Sequence, residues 1–393
     1  MYKTIKDFNI NGKTVIIRCD FNVPIEDGVI KDETRIRKSL RTIRYARKEG
    51  AKVILLSHLG RIKTEEDKEK YTLKPVAELI SKLLRKKVKF FNATRGKEIE
   101  EYVKNMKDKD VVLLENTRFE DLKGKKESKN DRRLGKYWSS LGDIFINDAF
   151  GTIHRMHASN VGIAKNLKSG MGFLVEKEIK ELTKLENPKK PYTIILGGSK
   201  VSDKINLIKN LVKKCDYLLI GGAMSFTFLK ASGFKVGSSL CEKDQIKFCT
   251  EMLNKYPDKI ILPIDVITAK EIKPKVKTKE RFINEIEEDE IGLDIGKKTA
   301  EVFKQYIEES KTIFWNGPMG YFEIKEFAKG TKQICQIIAG TKAYKIIGGG
   351  DTARAVTEMG YEKDMNHIST GGGASLTFLE GKKLKALELL DEK

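Results

Sequence analysis

The sequence predicts an α/β protein of two doubly wound domains with parallel sheets, joined by a helix. Three observations carry that expectation. At 393 residues the chain is too long for one comfortable hydrophobic core. Short apolar, β-branched runs alternate with longer amphipathic stretches from one end to the other. The short runs are apolar throughout instead of at every second residue, as strands covered by helices on both faces require.

A first set of strands is expected at 14–18, 52–57, 88–91, 111–115 and 143–147, and a second at 193–196, 216–220, 259–264, 312–315 and 344–347. Between them 34–49, 203–214 and 297–309 have helical periodicity. The stretch from Phe173 carries Leu174, Ile179, Leu182 and Leu185 at helical spacing and meets Pro188 and Pro191. Residues 173–190 are therefore expected to form a hinge helix and linker, stiffer than a glycine linker. That divides the chain into an N-terminal domain over 1–172 and a C-terminal domain over 191–379.

Composition narrows the function classes. A 40% hydrophobic content excludes a disordered tail, and no run approaches the ~18 apolar residues of a membrane span. The start, Met1 to Asp7, has no apolar stretch of the secretory kind, so a cytoplasmic protein is expected. Cys19, Cys215, Cys241, Cys249 and Cys335 contain no C-x-x-C pair and read as reduced thiols. The net charge of +20 is uneven: residues 1–170 hold 39 Lys and Arg against 24 Asp and Glu, and 171–393 hold 37 against 32. Thirteen of fifteen arginines and three of four histidines lie at or before His157. Arginine's planar fork suits anions, so the first half looks built to hold something negative.

Glycine clusters mark the second half: Gly197-Gly198, Gly221-Gly222, Gly348 to Gly350 and Gly371 to Gly373, at or near the ends of apolar runs. Beyond the carboxyl ends of parallel strands, bare N–H groups and helix starts receive anions, although each cluster taken singly also suits a turn. A nucleotide site is expected there. No G-x-x-x-x-G-K-[ST] motif exists; residues 292–299 come near it with the glycine spacing one short. Gly348-x-Gly350-x-x-Ala353 lacks the acid that a dinucleotide site needs about 20 residues on, so a dehydrogenase is disfavoured. Lys200 and Lys204 lie one helical turn apart at a helix start, where the dipole opposes them unless a polyphosphate is bound. Asp351 and Thr352 suit either an N-cap or a divalent cation beside phosphate.

In the first half, polar residues close the strands: Arg18-Cys-Asp20-Phe-Asn22, Ser57-His58-Leu-Gly-Arg61, Glu115-Asn-Thr-Arg118 and Asn147-Asp148 through His154-Arg155 to His157. Parallel strands bring such ends together and predict a basic pocket for a small, multiply charged anion. Arg35, Arg37, Arg41, Arg44 and Arg47 form a helical stripe, mostly solvated face, with Arg35 at its start.

These segments resemble the phosphoglycerate kinase family. The resemblance rests on RCDFNVP at 18–24, SHLGR at 57–61, ENTRF at 115–119, NDAFGTIHRMHAS at 147–159, GGSKVSDKI at 197–205 and GGAMSFTFLK at 221–230. It continues in order through GLDIG at 292–296, WNGPMGYFE at 315–323, GGGDT at 348–352 and STGGGASLTFLEGK at 369–382. It implies two Rossmann-like domains joined by a hinge helix, with 380–393 returning to the N-terminal domain. Asp20 and Asn22 would hold the glycerate part of 3-phosphoglycerate, and Arg35, His58, Arg61, Arg118 and Arg155 its charged ends. Lys200, Lys204, Gly292, Glu323, Gly349, Gly350, Asp351 and Thr352 would bind ATP or ADP, with Asp351 on Mg2+ and Glu323 on the ribose. Arg35, Lys200 and the amides of Gly371, Gly372 and Gly373 would stabilise the phosphoryl group in flight. The implied enzyme is a glycolytic phosphotransferase, monomeric, with no nucleic-acid or membrane partner. It moves a phosphoryl group from 1,3-bisphosphoglycerate to ADP by in-line transfer with domain closure.

The chain departs from the family pattern at Ile62 and Lys297, where proline is common, at Ala223 and Ser225 in the adenine-side glycine loop, and at Leu384-Lys385-Ala386. None of these removes a proposed catalytic side chain. A carboxylate acceptor needs no general base near neutral pH, which agrees with a sequence that offers no nucleophile–base pair. Two other classes fit parts of the pattern. A basic RNA-binding protein would explain the charge but not the lack of an aromatic stacking platform. Another acid- or sugar-phosphate kinase would not explain the full basic constellation.

Overall fold

In the computed structural model, which describes residues 1–393, the apolar runs form strands buried on both faces. The chain divides into two compact units, Met1–Lys180 with Lys383–Lys393, and Glu181–Lys382.

The first unit contains strands β1 (Thr14–Arg18), β2 (Ile25–Glu26), β3 (Val29–Ile30), β4 (Lys52–Leu56), β5 (Lys89–Phe91), β6 (Val111–Leu114), β7 (Ile144–Asn147) and β8 (Lys168–Met171). Six of them make one parallel sheet in the order β5-β6-β4-β1-β7-β8, and β2 and β3 pair as a small hairpin. Its helices are α1 (Thr34–Lys48), α2 (Glu66–Lys70), α3 (Lys74–Leu84), α4 (Lys97–Lys104) and α5 (Arg132–Ser139). Helix α1 shows why the sequence folds this way. Ile36, Leu40, Ile43 and Ala46 recur at helical spacing and join a core with Val15, Ile17, Val53 and Leu55, while Arg37, Arg41 and Arg44 stay exposed. Gly50, at φ +83°, turns the chain out of the helix, with its N–H on the Arg47 carbonyl (3.1 Å). The last residues are tied in by Ala386 N–H on Ile153 O (3.0 Å) and Asp391 N–H on Ser169 O (3.0 Å).

Helix α6 (Phe173–Thr183) runs across the boundary between the units. The carboxylate of Asp148 accepts from Leu174 N–H (2.8 Å) at its first turn. It stops at Thr183, five residues short of Pro188, because tight turns from Leu185 N–H to Leu182 O and from Glu186 N–H to Thr183 O close it first.

The second unit contains β9 (Tyr192–Leu196), β10 (Tyr217–Ile220), β11 (Ile260–Ile261), β12 (Asp265–Ala269), β13 (Lys279–Phe282), β14 (Ile291–Ile295), β15 (Thr312–Asn316), β16 (Tyr344–Gly348) and β17 (His367–Ile368). The parallel sheet has the order β11-β10-β9-β15-β16-β17, and β13-β12-β14 form a separate antiparallel sheet. Helices α7 (Ile205–Leu211), α8 (Met224–Ala231), α9 (Ile246–Lys255), α10 (Lys297–Glu309), α11 (Lys329–Gly340), α12 (Gly350–Glu358) and α13 (Gly373–Leu379) complete it. The strand expected over 259–264 shrinks to Ile260–Ile261, since Pro263 has no N–H to give a ladder. The helix expected from 203 begins as a 3-10 turn at Ser202–Lys204 before α7. The chain is a mixed α/β fold of two Rossmann-like domains with parallel sheets. No helix is long and apolar enough to cross a membrane, and all five cysteines are free.

Candidate active site

In the first unit the sheet grows in one direction from β1 through β4 and in the other through β7, so the loops after β1 and β7 flank its topological switch point. Arg35, in the first turn of α1, pairs with Asp20 at 3.3 Å and donates to the Asn22 carbonyl at 3.0 Å. The Asn22 side-chain oxygen accepts from Gly60 N–H (2.9 Å), and Arg118 donates to the Gly60 carbonyl (2.6 Å). Loops after β1, β4 and β6 are thereby locked together. His58 is buried, with Nδ1 3.3 Å from the Arg18 guanidinium. Burial first, then the charges of Arg18, Arg118 and Arg155, hold its pKa well below the ordinary histidine range. The ring is neutral, and an Nδ1 that accepts from Arg18 leaves its proton on Nε2.

Arg155 lies within electrostatic reach of Asp20, Arg61 and Arg35; burial lowers its pKa most, the two like charges lower it further, and Asp20 opposes them. The structure therefore gathers Asp20, Asn22, Arg35, His58, Arg61, Arg118 and Arg155 at one edge of the sheet. Such a concentration of cations around one partly shared carboxylate is relieved by a multivalent anion.

In the second unit β9 and β15 flank the switch point. Here the backbones of three loops touch, which explains their glycines. A Cβ on Gly197 would lie 2.1 Å from the Pro318 carbonyl oxygen, and one on Gly222 2.4 Å from the Gly198 nitrogen. Lys204 donates to the Asn316 carbonyl (3.2 Å) and to its side-chain amide oxygen, while Asn316 donates to the Gly348 carbonyl (2.9 Å). Burial pulls the Lys204 pKa down to about 8, against the opposing pull of Asp203 and Asp351. Lys200 is exposed on the same loop. Gly349, at φ +88°, caps α12; Asp351 is exposed in its first turn, and the Thr352 hydroxyl accepts from Gly317 N–H (2.6 Å).

Glu323 is exposed and paired with Arg354, whose guanidinium lies over the Phe322 ring at 4.8 Å. Gly292 lies inside β14 with the Phe226 ring where a Cβ would be, and β14 reaches the Glu323 loop through Tyr321 N–H on Leu293 O (2.8 Å). Gly371 N–H donates to Ser369 Oγ (3.1 Å), and Gly372, at φ +48°, caps α13, which starts at Gly373. No cluster of three or more His, Cys, Asp or Glu side chains is poised for a metal. The lone Asp351 carboxylate suits a hard cation that arrives with its own phosphate oxygens.

Sequence reasoning did not single out Arg18, Glu127 or Asn316. Arg18 is wholly buried, donates to Ser159 Oγ (2.8 Å) and orients His58; Glu127, also wholly buried, accepts from Ser159 N–H (2.9 Å) and supplies a countercharge. Arg18 at the head of RCDFNVP and Asn316 in WNGP were the available signals; nothing local marks Glu127.

A family model described as phosphoglycerate kinase matches residues 5–382. A phosphoglycerate kinase of Enterococcus faecalis is 54% identical over 394 residues, spanning 100% of this chain and 99% of that one. One of Fusobacterium nucleatum subsp. nucleatum is 54% identical over 398 residues, spanning 100% of both. The solved structure of phosphoglycerate kinase from Coxiella burnetii superposes with a TM-score of 0.89 at 38% identity, over 99% of this chain and 98% of that one. The chain belongs to the phosphoglycerate kinase family.

Proposed function

We propose that this chain catalyses the reversible, Mg-dependent transfer of a phosphoryl group between 1,3-bisphosphoglycerate and ADP, giving 3-phosphoglycerate and ATP in glycolysis. The observation that carries the reading is the gathering of Arg35 and Arg155 at Asp20, with His58 and Arg118 beside Arg155, in a chain of this family. Residues 1–172 with 380–393 would bind 3-phosphoglycerate, and 191–379 the nucleotide. The 173–190 segment would act as the hinge whose closure excludes water during transfer.

In this reading Asp20 and Asn22 orient the glycerate part, while Arg35, Arg61, Arg118 and Arg155 neutralise its phosphate and carboxylate, with the neutral His58 donating from Nε2. Lys204 and the Gly349 to Thr352 loop hold the nucleotide phosphates, Gly292 lies on the adenine side, and Glu323 exchanges Arg354 for the ribose. Asp351 would hold the magnesium ion that arrives with the nucleotide and neutralises its phosphates. Lys200, Arg35 and the Gly371 to Gly373 amides surround the migrating group's oxygens, so the work is positioning and electrostatics. A substrate carboxylate with a pKa near about 4 is already ionised, and no side chain has to remove a proton. The enzyme is proposed to work as a cytoplasmic monomer.

Incubation of the purified chain with ATP, magnesium and hydroxylamine tests this, because hydroxylamine converts an acyl phosphate to a hydroxamate. ADP and hydroxamate are expected in equal amounts with 3-phosphoglycerate and neither with glycerate or acetate. ATP consumption indifferent to 3-phosphoglycerate would overturn the assignment.

A further inference from the structure

Two lysines at the start of a helical segment are electrostatically awkward, and a bound polyphosphate is one remedy. The structure contains another. Glu242, in the connection between α8 and α9, sends its carboxylate to the segment that carries Lys200 and Lys204. It accepts from Val201 N–H (2.6 Å), Ser202 N–H (3.1 Å) and Ser202 Oγ–H (2.6 Å). Three hydrogen bonds to one carboxylate, all on two consecutive residues, are more than a surface ion pair supplies.

The carboxylate is itself held from behind. Glu242 N–H donates to Thr227 Oγ1 (3.1 Å) on α8, and Glu242 O accepts from Gln245 N–H (2.9 Å) in the following turn. At the receiving end, Val201 is wholly buried, and its carbonyl accepts from Lys204 N–H (2.8 Å). Val201 thus stands between two constraints. Its N–H is set by Glu242, and its carbonyl sets the backbone from which Lys204 reaches Asn316. Lys200, one residue before it, is exposed, and only the backbone directs it.

We infer that Glu242 is a positioning residue for phosphoryl transfer: it fixes the Val201–Ser202 backbone and so aims Lys200 and Lys204 at the nucleotide phosphates. The inference rests on the function proposed above. Glu242 need not touch substrate; removing it leaves both lysines present and their segment loose, and a slight misplacement is costly where positioning supplies much of the rate.

The test compares wild type, Glu242→Ala, Lys200→Ala and the double variant as full-length chains, with steady-state kinetics and hydrogen exchange over 197–206. Glu242→Ala is expected to lower kcat by roughly tenfold or more, with the 3-phosphoglycerate KM within about twofold of wild type. Exchange at Val201 and Ser202 should accelerate by about tenfold or more. Because Glu242 acts partly through Lys200 and partly through Lys204, removing it should cost less in the Lys200→Ala background than in wild type, so the double variant falls short of the product of the single losses.

Turnover within about twofold of wild type with unchanged exchange would overturn the inference, and so would losses that multiply in the double variant. Should Glu242→Ala fail to fold, Glu242→Met keeps much of the side-chain volume and offers no oxygen to the three donors. A loss in the same direction with faster exchange then supports the role, and wild-type values for both overturn it. Wild-type turnover in the same assay separates the two readings. If wild type shows none, the proposed function fails, and exchange at Val201 and Ser202 still judges the positioning.

Discussion

Lys204 carries a pH dependence with a definite sign. Burial has lowered its pKa to about 8 in the free protein, and a polyphosphate beside it raises that value towards the ordinary lysine range. Nucleotide binding therefore favours the protonated amine. Affinity for ADP is expected to be full below pH 8 and to weaken as the pH rises through that value, whereas Lys204→Arg flattens the dependence. Calorimetric titration of ADP from about pH 7 to about pH 9.5 measures both chains across the titration of the shifted amine. Arg35→Ala and Lys200→Ala should each lose most of the turnover, about a hundredfold or more, with unfolding midpoints kept. Near-wild-type turnover in either would remove that residue from the mechanism. At this scale the sequence was legible wherever a charged side chain ends a strand, because the fold class alone says that such ends converge. Glu127 was not, since this buried countercharge reaches Arg18 and Ser159 from a distant segment and has no local signature.

Capping and burial settle the local elements, and here two carboxylates do unusual work. Asp265 starts α10 from outside it, accepting from Lys298 N–H (3.0 Å), Thr299 N–H (2.6 Å) and Thr299 Oγ–H (2.6 Å). That leaves Lys297 N–H for Glu280 (3.0 Å), a bond that the family's usual proline could not make. Asp294 in β14 is buried, and burial pushes its pKa up to about 8, against the N–H groups of Gly330 and Ile295. Its folded pKa is above its unfolded value. It therefore contributes stability that is present below about pH 4 and is lost as the pH rises through 8. Asp294→Asn should flatten that decline, seen as urea midpoints that differ less between about pH 5 and about pH 9 than in wild type. An unchanged slope would mean that Asp294 does not titrate in this range. The strands of the two parallel sheets were readable because continuous apolar runs are their signature. The β12-β13-β14 sheet was not: Lys279–Phe282 is largely exposed, and β14, although buried, is interrupted by Gly292 and Asp294, so neither presents a continuous apolar run.

On the scale of the molecule, chain organisation and charge bear on function together. Arginine concentrates in the first unit and glycine-rich strand ends in the second, a division visible in the sequence because each residue type answers a different ligand chemistry. Most of the lysines on helix faces are exposed. The central claim is that the two units supply charge and amides around one phosphorus while no protein side chain is phosphorylated. The stereochemistry of transfer from ATP made chiral at its γ-phosphorus to 3-phosphoglycerate tests this most directly. The account predicts inversion at phosphorus, as a single in-line displacement demands, whereas retention would reveal a phosphoenzyme and contradict it.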